Sequence, residues 1–199
     1  AGTVRARQTV LAGDALLQGV APIVESRIMP VANYIVATAP LPAPGALIPR
    51  DVAISDSRFV VNYYRLTADG RLLFGGGERY TRDPPADIAA FVRPHLERVF
   101  PQLRGVAIDH AWGGLVSITR TRLPHVGRTG AIFFAHGYSG MGVVLSTLAG
   151  ELLAEAIAGD SRRFDLFEGV APPGFPGGRP LRGPLHLLGM LWYALRDRL

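Results

Sequence analysis

Cysteine is absent from this 199-residue chain, which excludes disulfides, thiolate metal sites and a cysteine-linked cofactor. Lysine is absent too. All 21 cationic side chains are arginine, so neither a Schiff-base lysine nor a catalytic ammonium is available. No apolar run reaches the ~18 residues needed to cross a bilayer, and no membrane span is expected. The arginines never run longer than the pair Arg162-Arg163, so the net charge of +5 does not form a nucleic-acid patch, and no nucleic-acid partner is expected. The opening "AGTVRARQTVLAG" lacks the pattern of a secretory signal, which gives the expectation of a cytoplasmic protein. No metal site is expected.

What remains is a globular composition. Apolar residues make up 48% and charged residues 19%, enough for one large domain or two small ones. Thr9 to Ala12 reads as a short strand running into Gly13. Arg27 to Leu41 reads as a long strand, closed by Pro40, Pro42 and Pro44. Ser57 to Leu66 and Arg71 to Gly77 flank Asp69-Gly70, a strong turn signal, so a hairpin is predicted. The glycines at 75 to 77 suit a strand end or bulge.

Asp83 is the predicted N-cap of a helix that starts at Pro84. Ile88, Val92, Leu96 and Val99 form its apolar face, and Pro94 should kink it. "VAIDHAW" and "LVSITRT" read as strands on either side of Gly113-Gly114. Ala131 to Ala135 reads as a buried strand. A helix then runs to about Ala158, with Gly159 as its C′ residue. The last stretch is a Pro/Gly loop followed by a short apolar helix.

The junction "AHGYSGMGVV" carries the chemistry. A strand, a glycine loop and a helix start in succession expose unpaired backbone N–H groups at a positive helix end. Such a place suits an anionic or electron-rich ligand edge, or it is only a turn. Without lysine it is not a Walker loop. Gly137, Gly140 and Gly142 miss the G-x-G-x-x-G spacing, and Ser139 misses the G-x-S-x-G elbow by one position. His110, His125, His136 and Asp109 are available for a triad, but nothing in their order or context points to one.

Taken together, "YIVATAPL", "DSRFVVNYYRLTADGRLLFGGGERY", "IDHAWGG", "TRLPHVGR", "AHGYSGMGV" and "LAEAIAGDSRRFDLF" resemble, in order, the C-terminal half of an FAD-dependent amine oxidoreductase of the D-amino-acid-oxidase superfamily. Within it they resemble most the gamma-glutamylputrescine oxidoreductase group. The resemblance implies an α/β fold: the C-terminal portion of a Rossmann-like FAD-binding domain plus a mixed-sheet substrate domain. It implies a returning FAD-domain strand over residues 1–26, a substrate domain over 27–109, an FAD-binding segment over 110–160 and a C-terminal loop and helix over 161–199.

It further implies that non-covalent FAD is held by Ala12, Gly13, Trp112, Gly113, Gly114, Pro124, Gly127, Gly137, Tyr138, Ser139, Gly140, Met141 and Gly142. Met141 stands where many relatives have histidine. Tyr34, Tyr63 and Arg65 would face the substrate, an amine or amino acid, the arginine suiting a carboxylate. Strand alternation puts Tyr63 and Arg65 on one face and Tyr64 on the other. No catalytic base is expected if the amine binds neutral. The family's nucleotide-binding G-x-G-x-x-G unit has no counterpart here. The expected partners are therefore a small-molecule amine and an N-terminal half or another subunit. A truncated, partner-dependent subunit or a binding module without activity of its own is the alternative.

Overall fold

A computed structural model describes residues 2–17, 19–58, 61–79, 84–177, 181, 183–185, 187–189 and 192. It divides into two compact units, Ala1–Pro30 with Leu115–Pro184, and Val31–Gly114 with Leu185–Leu199. The fold is mixed α/β with two sheets.

In the first unit, β1 (Thr9–Leu11) is followed by a single 3₁₀ turn, Asp14–Leu16, and by the short helix α1 (Pro22–Glu25). In the second, β2 (Met29–Thr38) is the long strand read from the sequence. It is followed by α2 (Pro44–Leu47), β3 (Ile54–Ser55), β4 (Tyr63–Leu66), β5 (Leu72–Arg79), α3 (Ile88–Val99) and β6 (Ile108–Ile118). The sheet order is β3-β4-β5-β2-β6. Tyr34, Val36, Leu72, Phe74, Val92, Leu96 and Phe100 form the core where α3 covers one face.

The predicted hairpin turns at Gly70, whose φ is +80°. Its β4 arm begins at Tyr63, later than the predicted Ser57. Asp56 accounts for the delay, because its carboxylate accepts both the backbone N–H and the side-chain amide of Asn62 and holds the preceding chain in a loop. Phe59 and Val60 lie outside the described residues. The bulge expected near the glycine triplet is present. Asn33 pairs with Glu78 and Ile35 with Gly75, so β5 carries one extra residue there, and Gly77 has φ +76°.

α3 starts four residues later than the sequence suggested. Asp87 is its N-cap, with Oδ1 accepting from the Ala90 N–H at 2.9 Å. Pro85 explains the shift, since it pushes the preceding Pro84 out of the helical region. Asp83, the predicted cap, lies outside the described residues. The helix continues through Pro94. β6 is a second correction. Instead of two strands flanking Gly113-Gly114, one strand runs through both glycines. A Cβ on Gly113 would lie 2.5 Å from the Tyr34 ring, so the neighbouring strand's side chain fills the place that glycine vacates.

The first unit's sheet has the order β1-β8-β7, where β7 is His125–Thr129 and β8 is Ile132–His136. β1 pairs parallel with β8, and β7 pairs antiparallel with β8. α4 (Gly142–Ala158) packs Ala149, Leu152 and Leu153 against Val126, Phe133 and Ala135. Gly159 ends it with φ +107°, the left-handed cap foreseen for it. α5 (Arg162–Glu168) buries Phe164 in the same cluster. The expected C-terminal helix falls largely outside the described residues.

Candidate functional site

The glycine junction lies between β8 and α4. β8 ends at buried His136, and the chain then takes three left-handed residues within four positions: Gly137 at φ +75°, Ser139 at +52° and Gly140 at +95°. Three ties hold this turn. The Gly137 N–H donates to Asp14 Oδ1 at 2.9 Å, and the Ser139 N–H donates to the Ser117 carbonyl at 2.9 Å. Ser139 Oγ accepts from the Thr119 N–H at 3.2 Å. Gly137 cannot carry a side chain, because a Cβ would sit 2.5 Å from Thr119 Cγ2.

Past the ties the backbone is open. A Cβ on Gly140 would meet nothing within 4 Å. α4 has no side-chain N-cap and no acidic residue in its first turn. Its first N–H groups, Gly142 to Val144, therefore keep the partial positive charge of a helix start. The side chains around them are apolar and exposed: Met141 at 65%, Val143 at 88% and Val144 at 69%. A flat, electron-rich ring that gains negative charge on reduction suits this combination of open N–H donors and apolar surface. The residues present fit a flavin.

The other expected cofactor residues of this unit sit around the loop. Ala12 and Gly13 follow β1, which the Leu11–Phe134 pairing and the Asp14–Gly137 bond bring beside it. Pro124 is buried just before β7. Gly127 lies on β7, where a Cβ would be 2.8 Å from the Phe134 ring, so close packing accounts for glycine there. Tyr138 is half-buried, and its phenol is pushed up from the usual value, first by burial and then by the Asp14 charge. Trp112, Gly113 and Gly114 lie on β6 in the other unit, with Trp112 43% exposed.

The expected substrate residues separate into two faces of the five-stranded sheet. Tyr64 stacks on Phe74 and meets Phe100 edge-on in the core. Tyr63 and Arg65 occupy the opposite face, as alternation required. The Tyr63 hydroxyl donates to Asn33 Oδ1. Arg65 pairs with Asp51 at 3.3 Å, both well exposed. Tyr34 lies apart from them. It is 2% exposed and meets Phe91 edge-on beneath α3, and its hydroxyl has no hydrogen-bond partner among the described residues.

Two features escaped the sequence reading. One is Asp14, whose bond to Gly137 spans 123 positions. The other is the buried pair His125–His136, with Nδ1 and Nε2 2.6 Å apart. Ser139 Oγ donates to the Gly137 carbonyl rather than to either ring of this pair, so neither His125 nor His136 stands as its base.

Solved structures share this fold, glycine oxidases and a fructosyl peptide oxidase among them. Glycine oxidase from Bacillus cereus superposes with a TM-score of 0.66 at 18% identity, over 85% of this chain and 46% of that one. A fructosyl peptide oxidase mutant gives 0.61 at 14%, over 89% and 47%. The sequence itself is more specific: residues 1–156 match the family described as FAD dependent oxidoreductase (DAO), and the chain belongs to that family. It is 43% identical to gamma-glutamylputrescine oxidoreductase from Escherichia coli, over the whole chain and 47% of that protein. It is 41% identical to a probable oxidoreductase, OrdL, from Rhizobium meliloti, over 99% and 46%. The chain thus spans about half the length of these relatives. No helix among the described residues is long and apolar enough to cross a membrane.

Proposed function

We propose that this chain supplies the flavin-ring side of the cofactor site and the substrate sheet of an FAD-dependent oxidoreductase acting on an amine or amino acid, with a gamma-glutamylputrescine-like compound as substrate. The observation that carries the reading is the open loop at Gly137 to Gly142, with three left-handed residues leading into an uncapped helix start. The bound flavin supplies two-electron acceptance from the substrate's C–N bond. The chain's own part is to bind and orient. The N–H groups of Gly140 and Gly142 to Val144 stabilise negative charge at the ring edge, and exposed Met141 and Val143 exclude water from it. Ala12, Gly13, Pro124 and Gly127 complete the surface within this unit, and the lack of cysteine favours non-covalent binding.

On the sheet, Tyr63 and Arg65 meet the substrate. The exposed Arg65–Asp51 pair is worth at most about 1 kcal/mol, so the guanidinium can turn to a substrate carboxylate. We assign the unit Ala1–Pro30 with Leu115–Pro184 to the cofactor and the unit Val31–Gly114 to the substrate. The rest of the FAD site comes from the part of the relatives that this chain does not match. Two features of the first unit support that partner: β1 has no second neighbour among the described strands, and α4 exposes a second apolar face.

The test is to purify this chain alone and joined to the N-terminal half found in its relatives. The joined protein should show flavin absorbance bands that bleach anaerobically on adding gamma-glutamylputrescine. Colourless protein in both forms sinks the flavin assignment. Coloured protein that no amine bleaches sinks the substrate assignment.

A further inference from the structure

Asp14 stands directly after Gly13, where β1 gives way to the 3₁₀ turn. Its φ is +43°, a left-handed value that a non-glycine residue keeps only when its surroundings hold it there. Its Oδ1 takes the N–H of Gly137 at 2.9 Å. Gly137 is in turn blocked on its other side by Thr119 Cγ2. Two residues on, Ser139 is tied through its N–H to Ser117 and through Oγ to Thr119. The ties stop there, and the open donors at Gly140 and Gly142 to Val144 follow.

We propose that Asp14 is a positioning residue for the flavin loop: its carboxylate anchors Gly137 and so sets the direction in which the open N–H groups point. This rests on the flavin reading above. A carboxylate touching a reduced ring that carries negative charge would repel it, so Asp14 acts through the loop and not on the ring. A charged acceptor makes a stronger bond to an N–H than a neutral one, which suits an anchor that must hold two distant chain segments together.

The experiment uses this chain joined to the N-terminal half found in its relatives, with Asp14→Ala to remove the acceptor and Asp14→Asn to keep it without the charge. Two readouts need no flavin: hydrogen exchange at the Gly137 amide, and the ultraviolet titration of Tyr138 against Tyr138→Phe. A third is the Kd for FAD by fluorescence. In Asp14→Ala, Gly137 should exchange about tenfold faster and FAD should bind about tenfold more weakly. Asp14→Asn should recover most of both, while the Tyr138 phenol titrates at lower pH than in the parent. Unchanged Gly137 exchange in Asp14→Ala overturns the proposal. So does an Asn variant as impaired as the Ala variant. If the parent takes up no FAD, the flavin reading fails, and the Gly137 exchange still decides the anchor.

Discussion

His125 and His136 share one short hydrogen bond, and both rings are buried, at 4% and 0% exposure. One nitrogen must donate and the other accept, so the bond needs at least one neutral ring and is lost when both are protonated. Burial is the main reason both resist protonation: it pushes His125 down to about 4, with Arg27 adding to the effect. His136 falls to about 3 through burial, then His125, then Arg27. In the unfolded chain each would titrate near 6.5. As pH falls below that value the unfolded state takes up protons that the folded state refuses. Stability is therefore full above about 6.5, drops by about 1.4 kcal/mol per pH unit for each histidine, and levels off below the folded values. Urea unfolding at pH 7, 5.5 and 4.5 should show this decline. His136→Gln should lower stability at pH 7 yet flatten the slope. A parent protein equally stable at all three values would contradict the neutral pair.

Within the elements, Gly75 and Gly113 of the large sheet are spaces for aromatic rings. Gly75 on β5 stands between Tyr63 on β4 and Ile35 on β2. The Tyr63 ring lies across Gly75, and its hydroxyl reaches Asn33 two strands away. A Cβ on Gly75 would be 2.0 Å from Tyr63 Cζ. Gly75→Ala should thus cost about 2–3 kcal/mol by overpacking, whereas Tyr63→Phe should cost about 1 kcal/mol for the lost hydrogen bond. In Tyr63→Ala the same Gly75→Ala change should be nearly neutral, and thermal melts of the four proteins measure that coupling.

This dependence on a neighbouring strand is also why the sequence was legible only in part. Gly70, Gly159 and the strand before the glycine loop could be read because each signal is local: a turn dipeptide, a left-handed cap, an apolar run. The continuous β6 could not, because Gly113 keeps its place in the ladder through Tyr34, 79 positions away by sequence number. β7 and α5 were missed for the same reason. β7 is a five-residue segment with a central glycine, fixed by its pairing with β8, and α5 is seven residues anchored by Phe164. Of the candidate site, the loop's glycines were legible, and its anchors at Asp14 and Ser117 were not.

For the molecule as a whole, α4 is the element with surface to spare. One face of this helix is spent on its own unit, through Ala149, Leu152 and Leu153. A second face, Val143, Thr147, Gly150, Ala154 and Ile157, recurs at helical spacing and is exposed. It carries no charge and narrows to glycine and alanine in the middle, which is a poor surface for water and a good one for close approach of another element. Together with the unpaired side of β1, it is the surface that the proposal above gives to the half of the relatives that this chain does not match. The sign of a substitution at Gly150 separates the two readings. No neighbour lies within 4 Å of a Cβ placed there. If this face meets only solvent, Gly150→Ala and Gly150→Leu should both stabilise the helix, by about 0.5–1 kcal/mol. If the other half covers it, Gly150→Leu in the chain joined to that half should instead lower the melting temperature and the flavin retained through gel filtration, with Gly150→Ala milder. A joined Gly150→Leu protein that melts higher and keeps its flavin would leave α4 facing water.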